Sequence, residues 1–402
     1  MSESKPYNFK IRQRAAFVLL LFLCLSSFDL IAQDTTNTKD EFKASGKLWG
    51  YAFGDYAYKL HADSAQRGNL QYSKLPQNHQ SFNFRRIYLG YDYQFTPKIS
   101  SQFLLAHESS FEANPGNPDV LTDNNRSMYI KAMNIRFKNI IPRATIVAGQ
   151  QATPTFATLA DQVWGYRSIE KTIADMRGIS SSTDLGLGVF GKIGKDENIG
   201  YDVLIGNSNG AKVENNNFKK IYTSLYAYFL DKKLVIQGNF EHDRSALNPV
   251  RKNISTLKAF AAYTTPETTI GVEAFRQIQT NASGYATGAS SQDTLYSAAQ
   301  PSGISLYVTR QLTKDKLNLF ARADLYNPDS KFSGDKNYIQ GYNTNKDFFA
   351  TIGLDFIPYK NVHIMPNIWY NQYQSKLKGA GGNLKNDYDL EARITLYFIF
   401  NK

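Results

Sequence analysis

The chain has 402 residues, a net charge of +11, one cysteine, 26 tyrosines and 26 phenylalanines. Beyond its amino end no apolar run approaches the roughly 18 residues that a membrane helix requires. No basic run is long enough to grip a duplex, which sets nucleic acid aside as a partner. The lone thiol, Cys24, lies in the amino-terminal segment, so disulfides, thiolate nucleophiles and cysteine metal sites drop out for the rest.

In chain order, Lys5, Lys10, Arg12 and Arg14 precede the apolar run 15–25. A charged region followed by an apolar stretch too short to cross a bilayer predicts a signal peptide over 1–32, cut after Ala32. Leu23 stands before Cys24 where a lipidated cysteine normally has a small residue, which argues against a lipoprotein. Removing that segment, with its four bases and two acids, leaves +9. Residues 33–42 are polar and are expected to lack structure, and 43–402 read as one barrel domain.

Mean hydropathy is −0.42 although 42% of the residues are hydrophobic. Strict alternation gives that combination, because every apolar residue has a polar neighbour. The first strand, 45–59, has Trp49, Tyr51 and Phe53 on one parity and Gly50 and Gly54 on the other. The second, 81–95, sets Ile87, Leu89, Tyr91 and Tyr93 against Arg86, Tyr88, Gly90 and Asp92. On that pattern Arg86 faces a wet side, and Arg85 points outward toward lipid headgroups. Residues 128–137 are apolar on both parities, leaving the side of Lys131 undecided. Farther on, Leu319, Ala321, Ala323 and Leu325 oppose Arg322 and Asp324. Pro366 interrupts a strand and is expected at a bulge. The last strand, Asp387–Phe400, sets Leu390, Ile394, Leu396 and Phe398 against Asp389, Glu391, Arg393 and Thr395.

Short and long connections alternate along the chain. The count predicts an all-β protein, a transmembrane antiparallel β-barrel of about 16 strands with long outer loops and short periplasmic turns. Abundant aromatics suit girdles at the two membrane interfaces. The third long loop, 152–181, is the candidate functional element. A 16-stranded lumen is too wide to select anything unless something folds into it. This loop carries Arg167, Glu170, Lys171, Asp175 and Arg177, and Ser168 is placed to cap a short helix running to about Met176. With Arg86, Arg322 and Arg393 from the wall, these are the expected constriction residues. The five histidines lack ligand spacing, so no metal is expected. Asp119 and Asp123 suit turn chemistry better than calcium. No cofactor and no catalytic constellation are expected either.

Residues Phe84, Arg85, Arg86, Ile87, Tyr88, Leu89, Gly90 and Tyr91 resemble the early strand of the phosphate-selective porin family. Gly149-Gln150-Gln151-Ala152-Thr153-Pro154 and Gly186-Leu187-Gly188-Val189-Phe190-Gly191 are similar to the residues flanking that family's third loop. Pro366-Asn367-Ile368-Trp369-Tyr370 adds to the likeness. The resemblance implies a trimeric, 16-stranded outer-membrane porin with a folded-in third loop. The chain departs from the family in that its wet-face bases are interleaved with acids rather than stacked as a ladder.

Together these observations predict a passive channel for small anionic or neutral solutes in the Gram-negative outer membrane, with lipid around it and no enzymatic activity. Weak anion preference follows if Arg167, Lys171 and Arg177 outnumber Glu170 and Asp175 at the narrowest point, with Asp161 outside it. The competing expectation is a plugged structural or surface-binding barrel whose loops contact a partner.

Overall fold

The computed structural model describes residues 42–401, apart from 69, 109–112, 115–116, 122–126, 155–158, 215, 247–250, 287–293, 333–344 and 377–385. The expected signal peptide and all of 33–42 except Phe42 lie outside the described residues, as does Asp123. The order begins β1 (Ser45–His61), β2 (Gln80–Gln94) and β3 (Ile99–Glu108), then a small hairpin of β4 (Ala113–Asn114) and β5 (Asn117–Leu121). β6 (Tyr129–Lys138) and β7 (Ala144–Ala152) lead to two short helices, α1 (Leu159–Trp164) and α2 (Ile173–Met176). There follow β8 (Thr183–Ile193), β9 (Ile199–Gly206), β10 (Lys220–Phe229), β11 (Leu234–Ala246), β12 (Arg251–Thr264) and β13 (Thr268–Ala286). The last six are β14 (Thr294–Ala299), β15 (Ser302–Thr313), β16 (Leu317–Asn327), β17 (Asn345–Tyr359), β18 (Val362–Ser375) and β19 (Asp387–Phe400).

Consecutive wall strands pair antiparallel, and β1 pairs with both β2 and β19, which closes the sheet. β14 and β15 both pair with β13 and form one return leg broken at Gln300 and Pro301, so the described residues make a 16-strand barrel. Closure leaves no edge, the condition for a sheet standing in lipid. Seven short turns at one end alternate with longer connections at the other.

Parity sorts the side chains as alternation predicts. Leu187, Leu225, Leu306 and Leu325 stand exposed on the outer face, while Tyr222, Phe320, Phe349 and Trp369 are buried within. On β19, Asp389, Glu391, Arg393 and Thr395 point inward and Ile394, Leu396 and Phe398 outward. On β1 the aromatic parity faces inward: Trp49 and Phe53 are buried inside, and Tyr51 lies 4.5 Å from inward Tyr88. Its other parity is glycine where neighbours come close. A Cβ at Gly50 would strike the ring of Phe400, and one at Gly54 the carbonyl oxygen of Asn83.

Two bulges redirect charged residues. The β1–β2 register shifts between Phe53 and Gly54, which pair with Arg86 and Phe84. The extra residue, Arg85, turns inward beside Arg86 and is 1% exposed, so it does not reach headgroups. A bulge puts two residues opposite one and so breaks the alternation. A second shift, between Leu104 and Leu105, brings Lys131 inward with Ala132. Pro366 needs no bulge. It stands opposite Ile394 in unbroken register, and the shift in the β17–β18 hairpin falls nearer its turn, between Phe356 and Tyr359.

The first loop, residues 62–79, also folds into the barrel. Leu70 packs with Met176, Phe349 and Trp369, and Tyr72 is buried with Ala57 and Leu75. Lys59 reaches the Tyr72 carbonyl at 2.8 Å and pairs with Asp389 at 2.8 Å and Glu391 at 2.9 Å. Arg67 pairs with Asp63 at 2.6 Å. Composition marks this loop only as polar; its few apolar residues are the ones that anchor it.

Candidate functional site

The described part of the third loop packs against the inner wall through its two helices and the turn between them. α1 buries Ala160 and Trp164 against Val235, Phe260, Ala262 and Tyr307. Trp164 donates its indole N–H to the Glu170 carbonyl at 2.8 Å, closing the turn between the helices. α2 sets Ile173 and Ala174 beside Phe275. The loop thus shares an apolar core with the wall.

Three wall arginines grip the backbone of that turn. Arg85 donates to the carbonyls of Ser168 and Ile169, Arg393 to Ile169 at 3.3 Å, and Arg322 to Lys171. Buried carbonyls need partners, and hydrogen bonds from charged donors are the stronger kind. Each guanidinium is offset in charge or hydrogen-bonded on the wall: Arg85 by Asp55, Arg322 by Asp324 at 2.5 Å, and Arg393 by the Asn367 side chain at 3.0 Å. With its carbonyl engaged by Arg85, Ser168 does not cap a helix. Its hydroxyl lies 3.8 Å from the Met365 sulfur, and α2 is a single turn starting at Ile173. On the far side Arg177 pairs with Asp347 at 2.5 Å and lies over Tyr326 at 4.6 Å.

A second group of charges is less deeply buried. On the loop, Arg167 binds Asp161 at 3.0 Å and Asp175 at 2.8 Å, and Lys171 lies 3.5 Å from Asp175. On the wall, Glu108 receives Arg86 at 2.8 Å and Lys131 at 2.5 Å. Lys171 and Glu108 keep 26% and 22% of their side-chain surface, Arg167 and Asp161 17% each, against 1% for Arg322 and 4% for Arg177. Burial alone would raise the Asp175 carboxyl, but Arg167 and Lys171, then Arg86 and Lys131, hold it at about 2. Burial would likewise lower Arg167; Asp161 and Asp175 overcome it and push its guanidinium well above the ordinary value. The two clusters therefore sit within each other's field.

The eight expected constriction residues divide accordingly. Arg86, Arg167, Lys171 and Asp175 belong to the second cluster, in which Arg86 and Asp175 are themselves buried. Glu170, Arg177, Arg322 and Arg393 belong to the fastening: Glu170 accepts the Lys171 backbone N–H at 2.9 Å and is buried. Sequence reasoning missed Arg85, Glu108 and Lys131, and it left Asp161 outside the cluster that the structure places it in. The apolar character of both parities over 128–137 was the available sign of a bulge at Lys131. Nothing comparable marks Glu108. In the wall, His363 lies 2.8 Å from Asp355, whose other oxygen takes the Tyr166 hydroxyl at 3.1 Å. Among the described residues no group of three or more His, Cys, Asp or Glu is placed to hold a metal ion.

No protein-family profile and no curated protein matches the sequence. Solved structures do match in fold. The outer-membrane channel DcaP of Acinetobacter baumannii superposes with a TM-score of 0.62 at 10% identity, covering 91% of this chain and 100% of that one. The anion-selective porin from Comamonas acidovorans gives 0.57 at 11% identity over 89% and 100%. A trimer form of OmpT, an outer-membrane protein of Vibrio cholerae, gives 0.52 at 11% over 89% and 100%. With its closed 16-strand wall and apolar outer face, the chain is a multi-pass outer-membrane β-barrel with the porin fold.

Proposed function

We propose that the protein is a passive channel for small hydrophilic solutes, with the third loop as its constriction and a weak preference for anions such as phosphate. The carrying observation is the charge cluster between loop and wall, in which Lys171, Glu108, Arg167 and Asp161 keep part of their surface. There Arg86, Lys131, Arg167 and Lys171 face Glu108, Asp161 and Asp175, four bases against three acids. Conduction needs binding weak enough for release. Interleaved acids supply that, since each base already has a carboxylate close by. Asp161 bonds directly to Arg167 and is therefore counted among the cluster's acids in this reading. Within the cluster the loop's signs balance at two each, so the net positive character comes from Arg86 and Lys131 against Glu108 on the wall.

This reading places residues 1–32 as the export signal and the barrel as a homotrimer, the latter supported by the trimer form of the structurally similar OmpT. Single-channel recording on the purified protein tests it. Discrete open steps are expected, and excising 164–177 should raise the step size and admit larger solutes. Silence from the intact protein, or an unchanged step after excision, would defeat the channel or the constriction respectively.

A further inference from the structure

The short-turn end of the barrel is ringed with bases. Its seven turns are 95–98, 139–143, 194–198, 230–233, 265–267, 314–316 and 360–361. Six of them carry a lysine or arginine: Lys98, Arg143, Lys195, Lys232 with Lys233, Lys314 with Lys316, and Lys360. These eight bases stand against five acids, Asp196, Glu197, Asp231, Glu267 and Asp315, and all thirteen are exposed. Exposed Lys138 and Arg310 on adjoining strand ends add to the excess. Arg143 lies 3.9 Å from Glu197, both about half exposed, a separation that binds neither firmly. Of the seven turns, 265–267 alone lacks a base, and Glu267 stands there by itself.

The same turns and the strand ends beside them carry large apolar side chains in the open. Tyr359 is 75% exposed beside Lys360, Leu230 63% beside Lys232 and Lys233, and Leu312 51% beside Lys314. Ile140 and Ile141 are exposed next to Arg143. Above them the lipid-facing band continues with Phe229, Ile193 and Phe356. A tyrosine or leucine so exposed belongs at the boundary between acyl chains and headgroups. A lysine one or two residues away then lies at headgroup depth, its stem along apolar surface and its ammonium in the polar layer.

We propose that this rim is a collar for the phosphate diesters of anionic phospholipids in the leaflet at the short-turn end. Two features select that occupant. The excess of bases asks for a ligand with net negative charge, which a zwitterionic lipid lacks. The apolar neighbours ask for one that carries acyl chains, which a soluble anion lacks. The collar rests on the barrel spanning a bilayer but is independent of whether the lumen conducts.

The test uses the full-length protein in nanodiscs containing equal phosphatidylglycerol and phosphatidylethanolamine, released and weighed by native mass spectrometry. A headgroup contacting one lysine should be favoured about fivefold, so phosphatidylglycerol should dominate the retained lipids by roughly that factor. In the variant Lys232→Gln/Lys233→Gln/Lys314→Gln/Lys316→Gln the ratio should fall toward one, while heat-modifiable migration shows the barrel still closed. Lys219→Gln, in a long loop, should leave the ratio unchanged. If the fourfold variant loses its closed migration, Lys232→Gln/Lys233→Gln replaces it, with a partial fall expected. Equal retention of the two lipids by the unmodified protein, or undiminished enrichment in a folded variant, refutes the collar. So does displacement of phosphatidylglycerol by inorganic phosphate but not by chloride at matched ionic strength, which would make the rim a soluble-anion site.

Discussion

Arg85 and Arg143 carry the same guanidinium and are placed in opposite physical situations. Arg85 is 1% exposed, pairs with an Asp55 carboxylate that also accepts Thr395 at 2.6 Å and Tyr72 at 3.1 Å, and holds two carbonyls of the third loop. Removing it leaves Asp55 buried without its cation and frees the loop turn. Breaking a buried pair from one side costs about 3–5 kcal/mol. Arg143→Ala, by contrast, disturbs one loose pair in water and should move stability by less than about 0.5 kcal/mol. Denaturant unfolding in detergent should therefore show Arg85→Ala destabilised by about 3 kcal/mol and Arg143→Ala near the unmodified protein. Equal midpoints for the two variants would show that the bulged arginine is dispensable. Alternation in the sequence could not assign this residue, because its inward turn arises from the register between two strands rather than from the pattern within one.

The elements themselves were more legible than their exceptions. Period-two alternation in β2, β16, β17 and β19 fixed which face meets lipid, since a one-residue slip would expose every charge on that face. Turn residues likewise separated short connections from long ones. What alternation could not carry was non-local: the two bulges, the inward aromatic face of β1 and the folding of the first loop onto Phe349 and Trp369. The third loop was legible as an element and in the end of its second helix at Met176, but not in that helix's late start or in α1, because its shape is set by arginines from β2, β16 and β19. Its charge cluster makes that shape sensitive to acid in a definite sense. Asp175 has its carboxyl held at about 2, below the ordinary 3.8, by Arg167 and Lys171 despite burial. A depressed carboxyl contributes stability in full above its unfolded value and loses it as pH falls through the folded one. Single-channel conductance should thus hold steady from neutral pH to just above 3.8 and change only between there and about 2. A transition centred near pH 6 would mean that some other group controls the loop.

At the scale of the whole molecule, three charged zones stand out: the basic rim, the mixed cluster between loop and wall and the buried fastening. On the proposed reading the second governs which ions pass. Charges more than a Debye length away, about 8 Å at physiological salt, are largely screened, so the rim and outer loops contribute little to selection at the constriction. The fastening is also excluded, because Arg177 and Arg322 are engaged with Asp347 and Asp324 and nearly inaccessible. Replacing Arg177 by an acid would thus disturb the loop rather than report on selectivity, and the informative position is Lys171, the most exposed base in the cluster. Lys171→Glu turns four bases and three acids into three and four. Reversal potentials across a salt gradient at low ionic strength should show weak anion preference in the unmodified channel and weak cation preference in the variant. Both should fade at about 1 M salt, where the Debye length falls to about 3 Å. Lys219→Glu, in a long loop and paired with Glu214 at 3.0 Å, should leave the potential unchanged. Cation preference in the unmodified channel would refute the anion assignment. If Lys219→Glu shifted the potential as much as Lys171→Glu, charge outside the lumen would be setting selectivity, and the cluster could not be the filter.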